Sequence, residues 1–121
     1  HNLEAMDALI ESLKNFNYNR LILGFSILKD KDYKKILPKL IPLADEVVIT
    51  NINNPRAFTL EELENEVKQY SKNVKSIENI IEAYEYTKSL SKENDLILWC
   101  GSLYLIREIR NYEKGIEVYD N

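Results

Sequence analysis

The apolar positions change period along the chain. Leu3, Met6, Leu9, Ile10 and Leu13 recur at helical spacing and predict an amphipathic helix over about residues 3–14, with Asn2 placed to cap it. Arg20–Ser26 is a short apolar run, the pattern of a buried strand. Tyr33, Ile36, Leu37 and Leu40 return to helical spacing. Pro38 cannot donate to the carbonyl of Lys34, so an early stop or a kink is expected there. Glu46–Thr50 (EVVIT) is rich in β-branched residues and predicts the next strand. Thr59 and Glu62 form a T-x-x-E capping box, Phe58 with Leu63 fits a hydrophobic staple, and Leu60, Leu63 and Val67 would face the core of a third helix. Asn73–Ile77 predicts a short strand, and Ile77, Ile80, Ile81, Tyr84 and Leu90 mark a fourth helix. Asp95–Cys100 (DLILWC) is another apolar strand; Gly101 and Ser102 break it, and Leu103–Arg110 restarts as a helix. GIEVYD, at 115–120, is expected to add a last edge strand.

Strands that alternate with helices through short loops predict βαβ units. The expected fold is α/β, a mostly parallel Rossmann-like sheet with helices on both faces. A parallel sheet would normally place a strand before the opening helix, so the sequence is expected to begin at a cut point.

The totals narrow the function classes. The 121 residues suffice for one domain with one core, not two. At 45% hydrophobic and 30% charged, the chain is an ordinary globular one rather than a disordered one. Sixteen basic against 20 acidic side chains, a net charge of −4, argue against a nucleic-acid partner. No apolar run approaches bilayer-spanning length and no secretory signal opens the chain, so no membrane partner is expected. Cys100 is alone, which excludes an internal disulfide and fits a reducing cytoplasm. One His and one Cys are too few soft ligands for zinc; a metal would be Mg²⁺ held by oxygens and a phosphate, and no residue is assigned to one.

In a parallel sheet the strands all end along one edge, where ligands bind. The loops ILKDKDY, NINNPRAF and CGSLY leave strands there, and HN would make a fourth if a strand precedes His1. They gather His1, Asn2, Lys31, Asp32, Asn54, Arg56 and Ser102. Lys31 could offer a positive charge to a carboxylate or phosphate, and Asp32 could accept from an ammonium. The structural alternative is that Asp30 or Asp32 caps the next helix among solvated lysines. Arg56, set by the Pro55 turn, could clamp an anion or simply face solvent. Gly101 permits a close backbone approach, and Ser102 stands where a helix N-terminus favours an anion, or merely caps that helix. Cys100, at the end of a strand, is expected to be packed rather than reactive. Neither G-x-x-x-x-G-K-[ST] nor G-x-G-x-x-G occurs, so no recognised loop cradles a triphosphate.

Four stretches, in order, resemble one family. HN resembles the end of the D-G-A-H-N motif of folylpolyglutamate and dihydrofolate synthases. LILGFSILKDKDY resembles their strand with its D-K-D segment. LADEVVITNINNPRAF resembles their A-D-x-V-x-x-T…N-P-R-A stretch, and DLILWCGSLYLIREIR their D-x-x-L-x-x-G-S-L-Y-L ending. The match covers almost the whole chain. The chain is thus similar to the C-terminal, glutamate-binding domain of these enzymes, within the wider Mur-ligase superfamily.

The resemblance implies an amide ligase that uses ATP and Mg²⁺ to turn a carboxylate of dihydropteroate or a folate into an acyl phosphate. The amino group of L-glutamate then attacks. ATP and metal would be held mainly by a preceding P-loop domain, absent from this sequence, on which the chain would pack. By motif, His1 and Ser102 fall at positions of the glutamate pocket. Lys31 and Asp32 face the reaction centre, and Asn2, Asp30, Arg56 and Gly101 supply anion or interdomain contacts. A Mur-type ligase with another amino-acid acceptor, a non-catalytic amino-acid or nucleotide-binding module, and a purely structural domain are the competing readings.

Overall fold

A computed structural model describes residues 3–115, and the fold follows from how its apolar runs stack. The elements are α1 (Leu3–Leu13), β1 (Leu21–Phe25), α2 (Tyr33–Leu40), a 3-10 turn (Ile41–Leu43), β2 (Glu46–Ile49), α3 (Leu60–Val67), β3 (Val74–Ser76), α4 (Ile80–Leu90), β4 (Leu96–Cys100) and α5 (Leu103–Glu113). The anticipated strand at GIEVYD lies, from Ile116 on, outside the described residues, as do His1 and Asn2.

The four strands form one parallel sheet in the order β3-β2-β1-β4. From β1 to β3 the chain steps one way, and α2 and α3 cover one face. The return from β3 to β4 runs back past two strands, and α4 crosses the opposite face. Right-handed crossovers require this change of face when the direction reverses. Leu23, Phe25, Val47 and Ile49 point to the first face and pack with Met6, Ile36, Leu37, Leu40, Leu63 and Val67 from α1, α2 and α3. Trp99 serves the second face with Ile80, Leu105 and Ile109 from α4 and α5.

Local chemistry sets the element ends. The capping box at α3 forms as the sequence pattern implies: Thr59 Oγ1 accepts from the Glu62 N–H at 3.1 Å, and Glu62 accepts from the Thr59 N–H at 2.8 Å. Helix α2 does not stop at Pro38 but runs to Leu40, where a 3-10 turn containing Pro42 takes over. An eight-residue helix loses little to one missing hydrogen bond when Ile36, Leu37 and Leu40 are all buried. Strand β4 borders the described sheet, so Leu96–Trp99 are only half-buried, whereas all of β1 is buried.

Carboxylates hold the edge where strands begin. Asp45 accepts the Leu21 N–H at 2.8 Å. Asp95 receives the Arg20 guanidinium at 2.9 Å, and Arg20 also donates to the Leu90 carbonyl at 3.1 Å. The Asp95 side chain is almost completely covered, and Arg20, with the Lys92 N–H, holds its carboxyl below the usual range. The opposite edge, where strands end, carries Lys29, Lys31 and Arg56 together with Asp30 and Asp32.

Candidate functional site

Strand β1 has β2 on one side and β4 on the other, and the chain leaves β1 and β4 toward opposite faces of the sheet. A crevice opens where such paths diverge, at the C-terminal ends of the strands. Here it is a cleft of about 220 Å³ lined by Leu28, Lys31, Asn54, Arg56 and the stretch Gly101–Tyr104. That is below the ~300–1,000 Å³ of drug-sized ligand sites, so the cleft suits a ligand of amino-acid size.

One wall is made of two loops fastened together. The loop after β1 and the loop after β2 meet in an antiparallel bridge between Leu28 and Ala57. The Lys29 N–H donates to the Arg56 carbonyl at 2.9 Å, and the Arg56 N–H donates to Asn54 Oδ1 at 2.8 Å. Asp30 and Arg56 form an ion pair across the loops. Lys29 lies over the Phe58 ring and pairs with Glu62 at 3.2 Å, and Tyr33 meets Phe58 edge-on at 5.0 Å. Glu62, bonded first by the Thr59 N–H and then by Lys29, has its carboxyl held below the ordinary value.

The other wall is the junction of β4 and α5. Gly101 has φ +109°, and a Cβ there would lie 2.0 Å from the Ser26 carbonyl oxygen. Only glycine lets β4 turn into α5 this close to the end of β1. Ser102 then caps α5, its hydroxyl accepting from the Leu105 N–H at 3.5 Å. Ser102 and the start of α5 line the cleft. Cys100, one residue before the turn, is buried, and burial pushes its thiol up to about 12; it is a packing residue, as expected.

Lys31, Arg56, Gly101 and Ser102, from three different loops, therefore meet in one cleft. Asp30 stands at its rim through Arg56. Asp32 occupies the cap position of α2, but its side chain makes no capping bond. Neither aspartate caps α2 with its side chain, and the charged cluster after β1 instead reaches across to the neighbouring loop. His1 and Asn2 lie outside the described residues. Leu28, Asn54, Leu103 and Tyr104 also line the cleft; of these only Asn54 stood out in the sequence, because apolar rim residues look like any others. Leu103, 71% exposed, extends the rim as an apolar ledge. A second, larger groove of about 610 Å³ follows the ends of β2 and β3, lined by Asn51, Asn53, Asn54, Asn79 and Glu78 over Ile52, Phe58 and Ile80. It adjoins the cleft through Asn54.

Among the described residues no three His, Cys, Asp or Glu side chains converge on a point that could hold a metal ion. The cleft brings the cationic side chains of Lys31 and Arg56 beside the start of α5, a lining suited to an anion. It does not fit a divalent cation. No helix among the described residues is long and apolar enough to cross a membrane.

The model of the Mur ligase glutamate ligase domain matches residues 1–103. The chain belongs to this family. A dihydrofolate synthase/folylpolyglutamate synthase of Bacillus subtilis is 30% identical over 111 residues, 91% of this chain and 25% of the relative. Among solved structures, a folylpolyglutamate synthase of Thermotoga maritima is 32% identical with a TM-score of 0.80, covering 98% of this chain and 27% of that one. A Mycobacterium tuberculosis folylpolyglutamate synthase complexed with ADP and AMPPCP is 27% identical with a TM-score of 0.81, covering 98% and 29%. The Mur ligase domain thus spans about a quarter of the length of the curated relatives it matches.

Proposed function

We propose that this chain is the amino-acid-binding domain of a cytoplasmic, ATP-dependent amide ligase of the folylpolyglutamate/dihydrofolate synthase type. The observation that carries the reading is the convergence of Lys31, Arg56 and the Ser102-capped helix start on one cleft of amino-acid size. L-Glutamate carries two carboxylates that need cations or N–H donors, and this donor set supplies them. Its amine would face the activated carboxylate of a folate or dihydropteroate. The nitrogen attacks the acyl carbon, a C–N bond forms, the C–O bond to phosphate breaks, and the amine releases its proton. This domain's part is to hold the amine in line and to place positive charge near the oxyanion that develops. Asp32, exposed beside Lys31, is the nearby acceptor assigned to the ammonium. ATP and Mg²⁺ are assigned to a preceding domain on which the cleft edge, with its Leu103 ledge, would close.

The test is steady-state amide formation in the full-length ligase, with ATP, Mg²⁺, L-glutamate and a folate acceptor. Lys31→Ala should lower kcat/KM for glutamate by at least about tenfold, the loss expected of one charge-assisted contact. Unchanged glutamate kinetics with only a shifted Tm would reject the assignment. A ligase with another amino-acid acceptor would show itself by turnover with that amino acid and none with glutamate.

A further inference from the structure

The ion pair between Asp30 and Arg56 lies outside the roles already assigned to the cleft. Both side chains are about half exposed, where a salt bridge adds little to stability. The backbone of Arg56 is already fixed twice, by the Asn54 side chain and by the Lys29 N–H. A further tie to the guanidinium is therefore superfluous for holding the loop. What it does restrict is the side chain, a long flexible group that would otherwise sample many rotamers in water. One guanidinium nitrogen, Nη1, is engaged by Asp30 Oδ2. The Nε–H and the other amino group remain free to donate as a fork, and Arg56 lines the cleft with Lys31 and Ser102.

We infer that Asp30 is a positioning residue. It anchors one side of the Arg56 guanidinium so that the remaining donors stand over the cleft, arranged in advance for a carboxylate. Asp30 touches no ligand itself, and its effect passes entirely through Arg56. The inference rests on the reading of the cleft as an amino-acid site and adds a division of labour within the loops. Lys31 provides an exposed charge with no ion-pair partner among the described residues, whereas Arg56 is held in place by its neighbour. Ordering a long side chain before the ligand arrives removes part of the entropic cost of binding, an effect of about 3- to 10-fold in affinity.

The experiment is a double-mutant cycle read as KM and kcat for L-glutamate in the full-length ligase. Asp30→Ala should raise KM about 3- to 10-fold, and the effect should fall on KM rather than kcat, because binding is what the anchored side chain serves. Arg56→Ala should raise KM at least as much. In the Arg56→Ala background, Asp30→Ala should add nothing. Asp30→Asn, which keeps an acceptor oxygen for the guanidinium, should recover most of the loss. A full Asp30→Ala effect without Arg56, or an Asn variant as impaired as the Ala variant, would overturn the inference. So would an Asp30→Ala enzyme that binds glutamate normally. Lys31→Ala separates the two levels: if it raises KM while Asp30→Ala does not, only the positioning role falls. If Lys31→Ala and Arg56→Ala both leave KM unchanged, the cleft is not the glutamate site and both readings fall.

Discussion

Gly24 sits in the middle of β1, where glycine is usually a weak choice, and the reason is the neighbouring strand. It is paired in register with Trp99 of β4. A Cβ on Gly24 would lie 2.1 Å from Cδ2 and Cε2 of the indole, which rests directly on the glycine backbone. Carbon atoms pack at about 3.5–4.0 Å, so in Gly24→Ala the ring must retreat by roughly 1.5 Å. The ring is not free to do so without loss. Its N–H donates to Thr87 Oγ1 at 3.2 Å, and it packs obliquely against Tyr84 at 6.2 Å. Losing that hydrogen bond costs about 0.5–1.5 kcal/mol and loosening the aromatic pair about as much. Forcing an extra methyl into the site costs about 1–3 kcal/mol, whereas alanine regains about 0.5–1 kcal/mol over glycine in a strand. The net is a destabilisation of about 1–5 kcal/mol, centred near 3, from a domain total of the order of 5–15. Urea denaturation followed by far-UV circular dichroism measures it, since Trp99 is the sole tryptophan and its replacement removes the fluorescence signal. In a Trp99→Val background the same Gly24→Ala change should be neutral or stabilising. An equal cost in both backgrounds would show that the indole is not what demands glycine, and the account of this face of the sheet would be wrong.

Other outcomes follow from the same structure. Thr59→Ala removes the cap of α3 and should cost about 1 kcal/mol, read as a lower urea midpoint with unchanged m-value; Thr59→Ser should restore it. Cys100, with its thiol raised to about 12 by burial, should resist alkylation at pH 8 in the folded chain and react only as the chain unfolds in urea. Asp95 has a folded pKa below its unfolded one, so its contribution is present above about pH 4 and is lost as pH falls through the folded value. Asp95→Asn should therefore lower Tm at pH 7 and flatten the acid limb of the Tm–pH curve, and parallel curves for the two proteins would refute this.

Much of the fold was open to reading from the chain because its signals are local. The β-branched run of β2, the capping box of α3 and the apolar continuity of β1 each act within a few residues, and each appears within a residue or two of its expected place. Pro38 shows the limit. Its missing donor argues for a stop, but three buried side chains on the same short helix outweigh one hydrogen bond. Tertiary packing decided the matter, and packing is not written at position 38.

The site was legible in a different way. The residue types stand out in the loops, and a parallel sheet brings those loops to one edge, so the sequence points to His1, Asn2, Lys31, Asp32, Asn54, Arg56 and Ser102 there; of these Lys31, Asn54, Arg56 and Ser102 line the cleft. Which groups pair could not be read, because partners lie far apart in sequence. Asp30 and Arg56 are 26 residues apart, and nothing at either position names the other. The same holds for Asp95, 75 residues from Arg20. The two acids nevertheless do different work. Asp95 is covered and closes the edge where strands begin, so its pairing serves the fold. Asp30 is half exposed and stands at the edge where strands end, beside a cleft, so its pairing adds little stability and can instead fix the direction of a cation. On the proposed reading, burial and sheet polarity together separate Asp95, which serves the fold, from Asp30, which would serve the cleft, and neither is a property of the residue alone.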